Sequence, residues 1–211
     1  MAEARVLLIR HGETEWNLAS RIQGHSDSPL TDAGVSQAQA LAQRMAAESF
    51  DVLVASDLPR AFRTAQFIAQ STGHAIVADA RFRERNFGEG EGLTYGEIDH
   101  QFPDAFSRVR ETDPDYVIPG GESRRQFYVR VKDAFESLAL AHEGRRVAVV
   151  AHGGVLASLY RVIHGIAISA PHPIPIPNAA INVVRFESGA WIVERWGDTG
   201  HLAAPIVFDE P

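Results

Sequence analysis

Short apolar runs that alternate with helical patterns constrain the fold more than any other feature of this chain. Four such runs are rich in β-branched residues and have the length of strands that are buried on both faces. They span residues 5–9, 52–55, 75–78 and 147–151. Because strands that alternate with helices form a mostly parallel sheet with helices on both faces, the pattern predicts an α/β fold.

Capping signals predict where four helices begin and end. A side-chain acceptor before the first turn marks a helix start, and a glycine after the last turn marks its end. The second helix is expected to start near Ser56-Asp57-Leu58-Pro59, a segment that offers a cap candidate and has proline in the first turn. The signals predict helices from Thr31 onward, from the 56–59 segment to Gly73, from Ser123 to Gly144, and from His152 to Gly165.

Two stretches interrupt the alternation of strands and helices. Residues 81–121 mix glycines, acids and aromatics and predict an insertion over one edge of the sheet, whereas the alternating prolines of 171–177 predict an extended loop. After that loop, residues 180–186 and 191–196 predict a β-hairpin. Since no repeat or linker is evident, we expect a single domain over residues 1–211.

Composition excludes several classes of function. The chain has no cysteine, so a thiolate nucleophile, a zinc–thiolate site and a disulfide are excluded. Its net charge of −7 argues against general binding of nucleic acid or anionic membranes. No apolar run reaches the roughly 18 residues that span a bilayer, and the first run is too short for a secretory signal. These features predict a cytoplasmic protein that binds neither nucleic acid nor membrane.

Charged side chains follow the ends of the predicted strands. Arg10 and His11 follow the first strand, Arg60 follows the second, Glu84 the third and His152 the fourth. Ligands of α/β sheets bind beyond the carboxyl ends of the strands, so these side chains are expected at one rim. Arginine forks at helix N-termini match the oxygens of a phosphate, which makes phosphate chemistry the leading class.

Other routes to phosphate or ester chemistry lack their motifs. Lys132, the only lysine, is not in a P-loop, and neither G-x-S-x-G nor H-E-x-x-H occurs. The acids near the motifs are single, so the sequence predicts no metal site and no cofactor. A neutral imidazole remains as the natural nucleophile towards phosphorus.

The strand-end residues belong to longer blocks that occur in a recognisable order. The blocks are LIRHGETEWN at 8–17, QG at 23–24, SDLPRAFRT at 56–64, RERNFG at 83–88, PGGES at 119–123 and VAHGG at 150–154. This series resembles the histidine phosphatase superfamily, also called the phosphoglycerate mutase-like family. The resemblance implies that fold, with the 81–121 insertion forming part of the cover of the active site.

The resemblance also implies a role for each residue. His11 would attack the phosphoryl group, with its other ring nitrogen donating to a backbone carbonyl. Glu84 would act as general acid and base. Arg10, Arg60 and His152 would hold the phosphoryl oxygens, where charge accumulates in the transition state. Further contacts to phosphate or substrate are predicted for Asn17, Gln23, Gly24, Arg85, Gly153 and Asn178.

Several alternatives remain open from the residues alone. Glu13, Glu89 and Glu91 lie in loops comparable to that of Glu84, and Asn178 is equally suited to cap its own loop. A bisphosphoglycerate-dependent mutase would share the nucleophile, but Phe87 stands where such mutases carry a tyrosine. We therefore expect a metal-independent phosphatase, with the mutase and then a catalytically silent binding protein as alternatives. The expected partner is a small phosphorylated metabolite, and a homodimer is left open.

Overall fold

A six-stranded sheet forms the centre of the molecule. The computed structural model describes residues 3–102, 113–171 and 174–202. Along the sheet the strands lie in the order β3-β2-β4-β1-β5-β6. Their bounds are β1 Ala4–Arg10, β2 Val52–Ala55, β3 Ile76–Ala78, β4 Arg146–Ala151, β5 Ile181–Glu187 and β6 Ala190–Asp198.

The sheet is mostly parallel, as predicted. β1 pairs in parallel with β4, β4 with β2, and β2 with β3. β5 pairs antiparallel with both β1 and β6, which adds the predicted hairpin to the other side of β1. Ser188 and Gly189 connect the hairpin strands with φ of 55° and 80°, as a two-residue turn that matches strand twist requires.

One strand prediction was wrong in detail. Residues 75–78 were expected to form a strand buried on both faces, but β3 begins at Ile76 and lies at the edge of the sheet. Val77 is accordingly 53% exposed. A short apolar run looks the same in a central strand and in an edge strand, because periodicity does not report how many neighbours a strand has.

Helices cover both faces of the sheet. Their bounds are α1 Glu15–Leu18, α2 Asp32–Ala46, α3 Pro59–Thr72, α4 Tyr95–Gln101, α5 Arg124–Ala141 and α6 Gly153–His164. α2 and α3 pack Leu41 and Ile68 against one face, and α5 and α6 pack Phe135 and Leu156 against the other. The predicted α/β fold with two helical layers is therefore confirmed.

The capping predictions were mostly correct. Thr31 caps α2, Ser123 and Gln126 form a capping box at α5, and left-handed glycines follow α3 and α6. Helix α5, however, ends at Ala141 rather than at Gly144. The four-residue α1 was not predicted, because one turn is too short to display helical periodicity.

Only parts of the two irregular stretches lie in the described ranges. Within 81–121, the residues up to 102 contain two 3₁₀ turns, Ala80–Phe82 and Gly88–Gly90, followed by α4. The buried side chains of Ile98 and Ile118 approach Gly90. Residues 103–112 of the predicted insertion and residues 172–173 of the predicted proline loop lie outside the described residues. Over the described ranges, no helix has both the length and the apolar character needed to cross a membrane.

Candidate active site

Two histidines meet where β1 and β4 end. Arg10 and Ala151 are partners in the parallel register of these strands, so His11 and His152 are the next residues on adjacent strands. Their ring centroids lie 5.2 Å apart with the planes tilted by 59°. Both rings are almost fully buried. The sheet therefore brings the two predicted histidines into one site.

The His11 ring is held in one orientation by its own loop. Nδ1 lies 2.7 Å from the carbonyl oxygen of Gly12, so Nδ1 carries the hydrogen and donates it. This contact is the backbone bond expected from the sequence, and it leaves the lone pair on Nε2. Burial lowers the pKa of His11 well below its ordinary value, and the charges of Arg60 and Arg10 lower it further. The imidazole is consequently neutral and nucleophilic at neutral pH.

Two arginines supply buried positive charge beside the His11 ring. Arg60, in the first turn of α3, donates to the carbonyls of Ser26 at 2.9 Å and Gly24 at 2.8 Å. Burial lowers the pKa of Arg60 to about 10, which still leaves it charged at neutral pH. Arg10, the last residue of β1, donates to the carbonyl of Ile176 at 2.6 Å. Both side chains are thus fixed by backbone oxygens.

The second histidine, His152, is held by a contact with the residue that follows β2. His152 occupies the N-cap position of α6, and its Nε2 lies 2.8 Å from the hydroxyl oxygen of Ser56. Burial lowers the pKa of His152, and the neighbouring Arg60 adds to that effect. His152 is therefore neutral as well. We call Arg10, His11, Arg60 and His152 the cradle.

The carboxylate of Glu84 is anchored beside the cradle by backbone N–H groups. Its Oε1 accepts from the N–H of Arg85 at 2.8 Å, and its Oε2 accepts from the N–H of Gly154 at 2.9 Å. A side chain at position 154 would bring its Cβ within 2.2 Å of Glu84 Oε1, so glycine is required for this approach. Glu84 thus lies against the first turn of α6, next to His152.

Two of the three competing carboxylates have structural partners instead, and the third is exposed. Glu91 accepts from the N–H groups of His25, Ser26 and Phe87 and from the Ser26 hydroxyl. These bonds join the loop that carries Gly24 to residues 83–91, which we call the acid loop. Glu13 accepts from the Thr31 hydroxyl at 2.7 Å, and Glu89 is exposed. Of the four candidates, Glu84 is the one whose carboxylate contacts α6, the helix that His152 caps.

A further arginine supports the acid loop from α5. Arg130 donates to the carbonyls of Arg83 at 3.0 Å and Glu84 at 3.2 Å, and forms an ion pair with Glu122. Sequence reasoning missed this residue because nothing near position 130 resembles a site motif. It likewise missed Gly154, because the sequence does not show that Gly154, unlike Gly153, lies against the carboxylate of Glu84.

The remaining predicted residues lie around the cradle in varied roles. Asn178 donates to the His11 carbonyl at 3.0 Å and to Asn17 Oδ1 at 3.2 Å, so it holds the loop of the nucleophile. Gln23 is buried, and its Oε1 has no hydrogen-bond partner in the described part of the chain. A Cβ added at Gly153 would lie 3.5 Å from Arg10 Nε. The Arg85 guanidinium donates to the Glu122 carbonyl and stacks on Phe87.

One cap prediction was wrong and concerns the site. The 56–59 segment was expected to supply a cap for the helix after β2, but its N-cap residue is Leu58, and no side chain among the described residues forms a capping hydrogen bond at that end of α3. The Ser56 hydroxyl instead accepts from the Leu58 N–H at 3.3 Å and contacts His152. The strand-end rule that located the other site residues also applies to Ser56, which directly follows β2.

Among the described residues, no group of three or more histidines and acids is placed to hold a metal.

The amino-acid sequence matches the model of a known protein family. Residues 6–199 match the model of the histidine phosphatase superfamily (branch 1). The chain belongs to this superfamily. The family and the class of enzyme predicted from the sequence are thereby confirmed.

Named relatives extend over most of the chain. "Phosphoglycerate mutase-like protein 4" of Arabidopsis thaliana is 40% identical over 94% of this chain and 87% of its own length. "Metal-independent phosphoserine phosphatase" of the same organism is also 40% identical, over 94% of this chain and 83% of its own. Among solved structures, Bacillus stearothermophilus YhfR superposes with a TM-score of 0.87 at 31% identity, covering 94% of this chain and 99% of its own. The superfamily member described here is thus similar to both mutase-like and phosphatase proteins.

Proposed function

We propose that this protein is a metal-independent phosphatase that hydrolyses small phosphomonoesters through a phosphohistidine on His11. The observation that carries the proposal is the His11–Gly12 contact, which directs the lone pair to Nε2 in a ring kept neutral by burial. An imidazole in this state needs no base to activate it. Arg10 and Arg60 supply the positive charge that a phosphoryl group requires.

The proposed reaction has two steps. In the first, His11 Nε2 forms a bond to phosphorus, the ester P–O bond breaks, and Glu84 gives its proton to the leaving alkoxide. In the second, Glu84 takes a proton from water, whose oxygen attacks phosphorus as the P–N bond breaks. Phosphate leaves, and His11 and Glu84 return to their starting states. Arg10, Arg60 and His152 hold the non-bridging oxygens throughout.

Mutase activity is the second candidate because relatives of both kinds exist. A mutase returns the phosphoryl group to a second hydroxyl of the same sugar acid, so it must retain that substrate by its anionic groups. The single lysine does not serve this need, because Lys132 pairs with Glu136 on the surface of α5. Hydrolysis therefore remains the favoured outcome. Cytoplasmic location and a homodimer stay predictions.

Turnover of p-nitrophenyl phosphate in EDTA tests the proposal. We expect wild type to release phosphate and His11→Ala to lose at least about 10³-fold in kcat/KM, because the nucleophile is gone. His100→Ala is the matched control, since His100 is exposed on α4, and it should retain wild-type activity. Absence of turnover in wild type, or equal turnover in His11→Ala, would refute the proposal.

A second measurement separates the phosphatase from the mutase. Conversion of 3-phosphoglycerate to its 2-isomer is followed with and without 2,3-bisphosphoglycerate, together with release of inorganic phosphate. A phosphatase releases phosphate and shows no isomerisation that depends on the bisphosphate. Isomerisation faster than phosphate release would favour the mutase.

A further inference from the structure

Ser56 and His152 form a buried pair whose hydrogens can be assigned by counting donors and acceptors. Both side chains are fully buried, and His152 Nε2 lies 2.8 Å from Ser56 Oγ. The Leu58 N–H already donates to the same hydroxyl oxygen at 3.3 Å. The other ring nitrogen, Nδ1, is buried and has no hydrogen-bond partner among the described residues.

Two neutral forms of the pair are possible in principle, and they differ in what they leave unsatisfied. If Nε2 carried the hydrogen, Ser56 would accept from both Nε2 and Leu58, so its own hydroxyl hydrogen would lack an acceptor. Because Nε2 contacts Ser56, a phosphoryl oxygen held by His152 in the proposed reaction would have to meet Nδ1. A lone pair there would repel phosphoryl oxygens. A buried group that lacks a hydrogen-bond partner has lost its bonds to water without replacing them, which disfavours this form.

In the other form, the Ser56 hydroxyl donates to Nε2 and accepts from the Leu58 N–H, so the serine is fully satisfied. His152 then carries its hydrogen on Nδ1, and among the described residues this N–H is the one group of the pair left without a partner, whereas the first form leaves two. We propose that Ser56 is a positioning residue that fixes His152 in this Nδ1–H tautomer, which gives the phosphoryl group a neutral donor. This inference rests on the proposed function for the identity of the acceptor, but the tautomer itself does not depend on it.

The surroundings of His152 explain why a neutral donor is needed. The charged groups of Arg10 and Arg60 lie close enough to oppose a positive charge on the ring, as do His11 and His25 when protonated. Glu84 approaches from the acid loop through Gly154. A ring that had to be protonated to bind phosphate would bind it only in acid. The Ser56 contact removes that requirement.

Nitrogen NMR on histidine-labelled protein without substrate tests the tautomer directly. His152→Gln assigns the His152 signals by their disappearance. We expect the hydrogen on Nδ1 in wild type and on Nε2 in Ser56→Ala. A hydrogen on Nε2 in wild type would overturn the inference whatever the activity of the enzyme.

Binding of orthovanadate, a phosphate analogue, tests the consequence. We expect Ser56→Ala to bind it about tenfold more weakly at pH 7.5. An unchanged affinity in Ser56→Ala would contradict the inference.

Two variants separate positioning from loss of packing. Ser56→Thr retains the hydroxyl and should restore the Nδ1–H signal and most of the affinity. Ser158→Ala removes another buried serine on α6 and should leave the His152 tautomer unchanged. A tautomer change in Ser158→Ala would instead indicate a general effect of packing. Because the NMR measurement requires no turnover, failure of this inference is distinguishable from failure of the phosphatase proposal.

Discussion

The cradle and the acid loop reach the same site by different structural routes. Arg10, His11 and His152 are set by the register of β1 and β4, and Arg60 by the first turn of the helix that follows β2. Glu84 follows no such rule, because its loop is held by Glu91, Arg130 and the N–H of Gly154. The position of the cradle is thus set by strand register and a helix start, whereas the position of the acid loop is set by side-chain contacts between distant parts of the chain.

The largest effect is expected from a change within the cradle. Arg60→Ala removes a buried charge and both bonds to the carbonyls of Ser26 and Gly24, so kcat/KM should fall about 10³-fold. Arg60→Lys retains the charge but cannot reach both carbonyls, so its kcat/KM should lie between those of wild type and Arg60→Ala. Steady-state kinetics with p-nitrophenyl phosphate check this. If Arg60→Ala lost less activity than Glu84→Gln, the expectation that the cradle contributes more than the acid loop would be contradicted.

Glu84→Gln is expected to have the next largest effect. The amide oxygen can still accept from Gly154, but the side chain can no longer transfer a proton, so kcat should fall about 10²-fold for an alkyl phosphate. The loss should be smaller for p-nitrophenyl phosphate, whose leaving group needs little protonation. Glu89→Gln is the matched control because Glu89 is exposed in the same loop. An equal loss for both substrates would argue against Glu84 as the acid.

The contact between the two regions is tested by Gly154→Ala. The new Cβ would meet Glu84 Oε1 at 2.2 Å, so the carboxylate must move and kcat should fall about tenfold. Stability should not fall, because alanine is the better helix former by about 1 kcal/mol. Gly96→Ala in α4 is the control, since its Cβ meets nothing within 4 Å. Equal kinetics of the two variants would show that Glu84 tolerates displacement.

Mild acid should affect activity less than any of these substitutions do, and its main effect should be on the free energy of unfolding. The pKa values of His11 and His152 are lowered by burial, so the unfolded chain binds more protons below pH of about 6.5. The free energy of unfolding should therefore fall as the pH drops below that value, by up to about 1.4 kcal/mol per pH unit for each histidine. Denaturant unfolding at pH 7.5, 6.5 and 5.5 measures this slope. His11→Asn should reduce it, and an unchanged slope would contradict the depressed pKa.

The same contrast explains how much the sequence could predict. His11, Arg60 and His152 follow strands whose apolar runs are visible, so the rule for parallel strand ends located them. Arg130 and Gly154 were missed because their roles depend on contacts with residues about 46 and 70 positions away. Ser56 was seen only as part of a segment interpreted as the start of a helix. A serine before a helix is usually a cap, and only the position of His152 reveals the other partner.

The pairing of β1 with β4 also has a consequence for how the protein acquires its site. Arg10 and Ala151 are register partners, although about 140 residues separate them along the chain. Contacts between such distant segments form late, because the entropy of closing a long loop must be lost first. A partly synthesised chain that ends before β4 contains His11 but cannot place His152 beside it. Affinity for phosphate should therefore appear only once β1 and β4 have paired, which makes vanadate binding a reporter of that folding step.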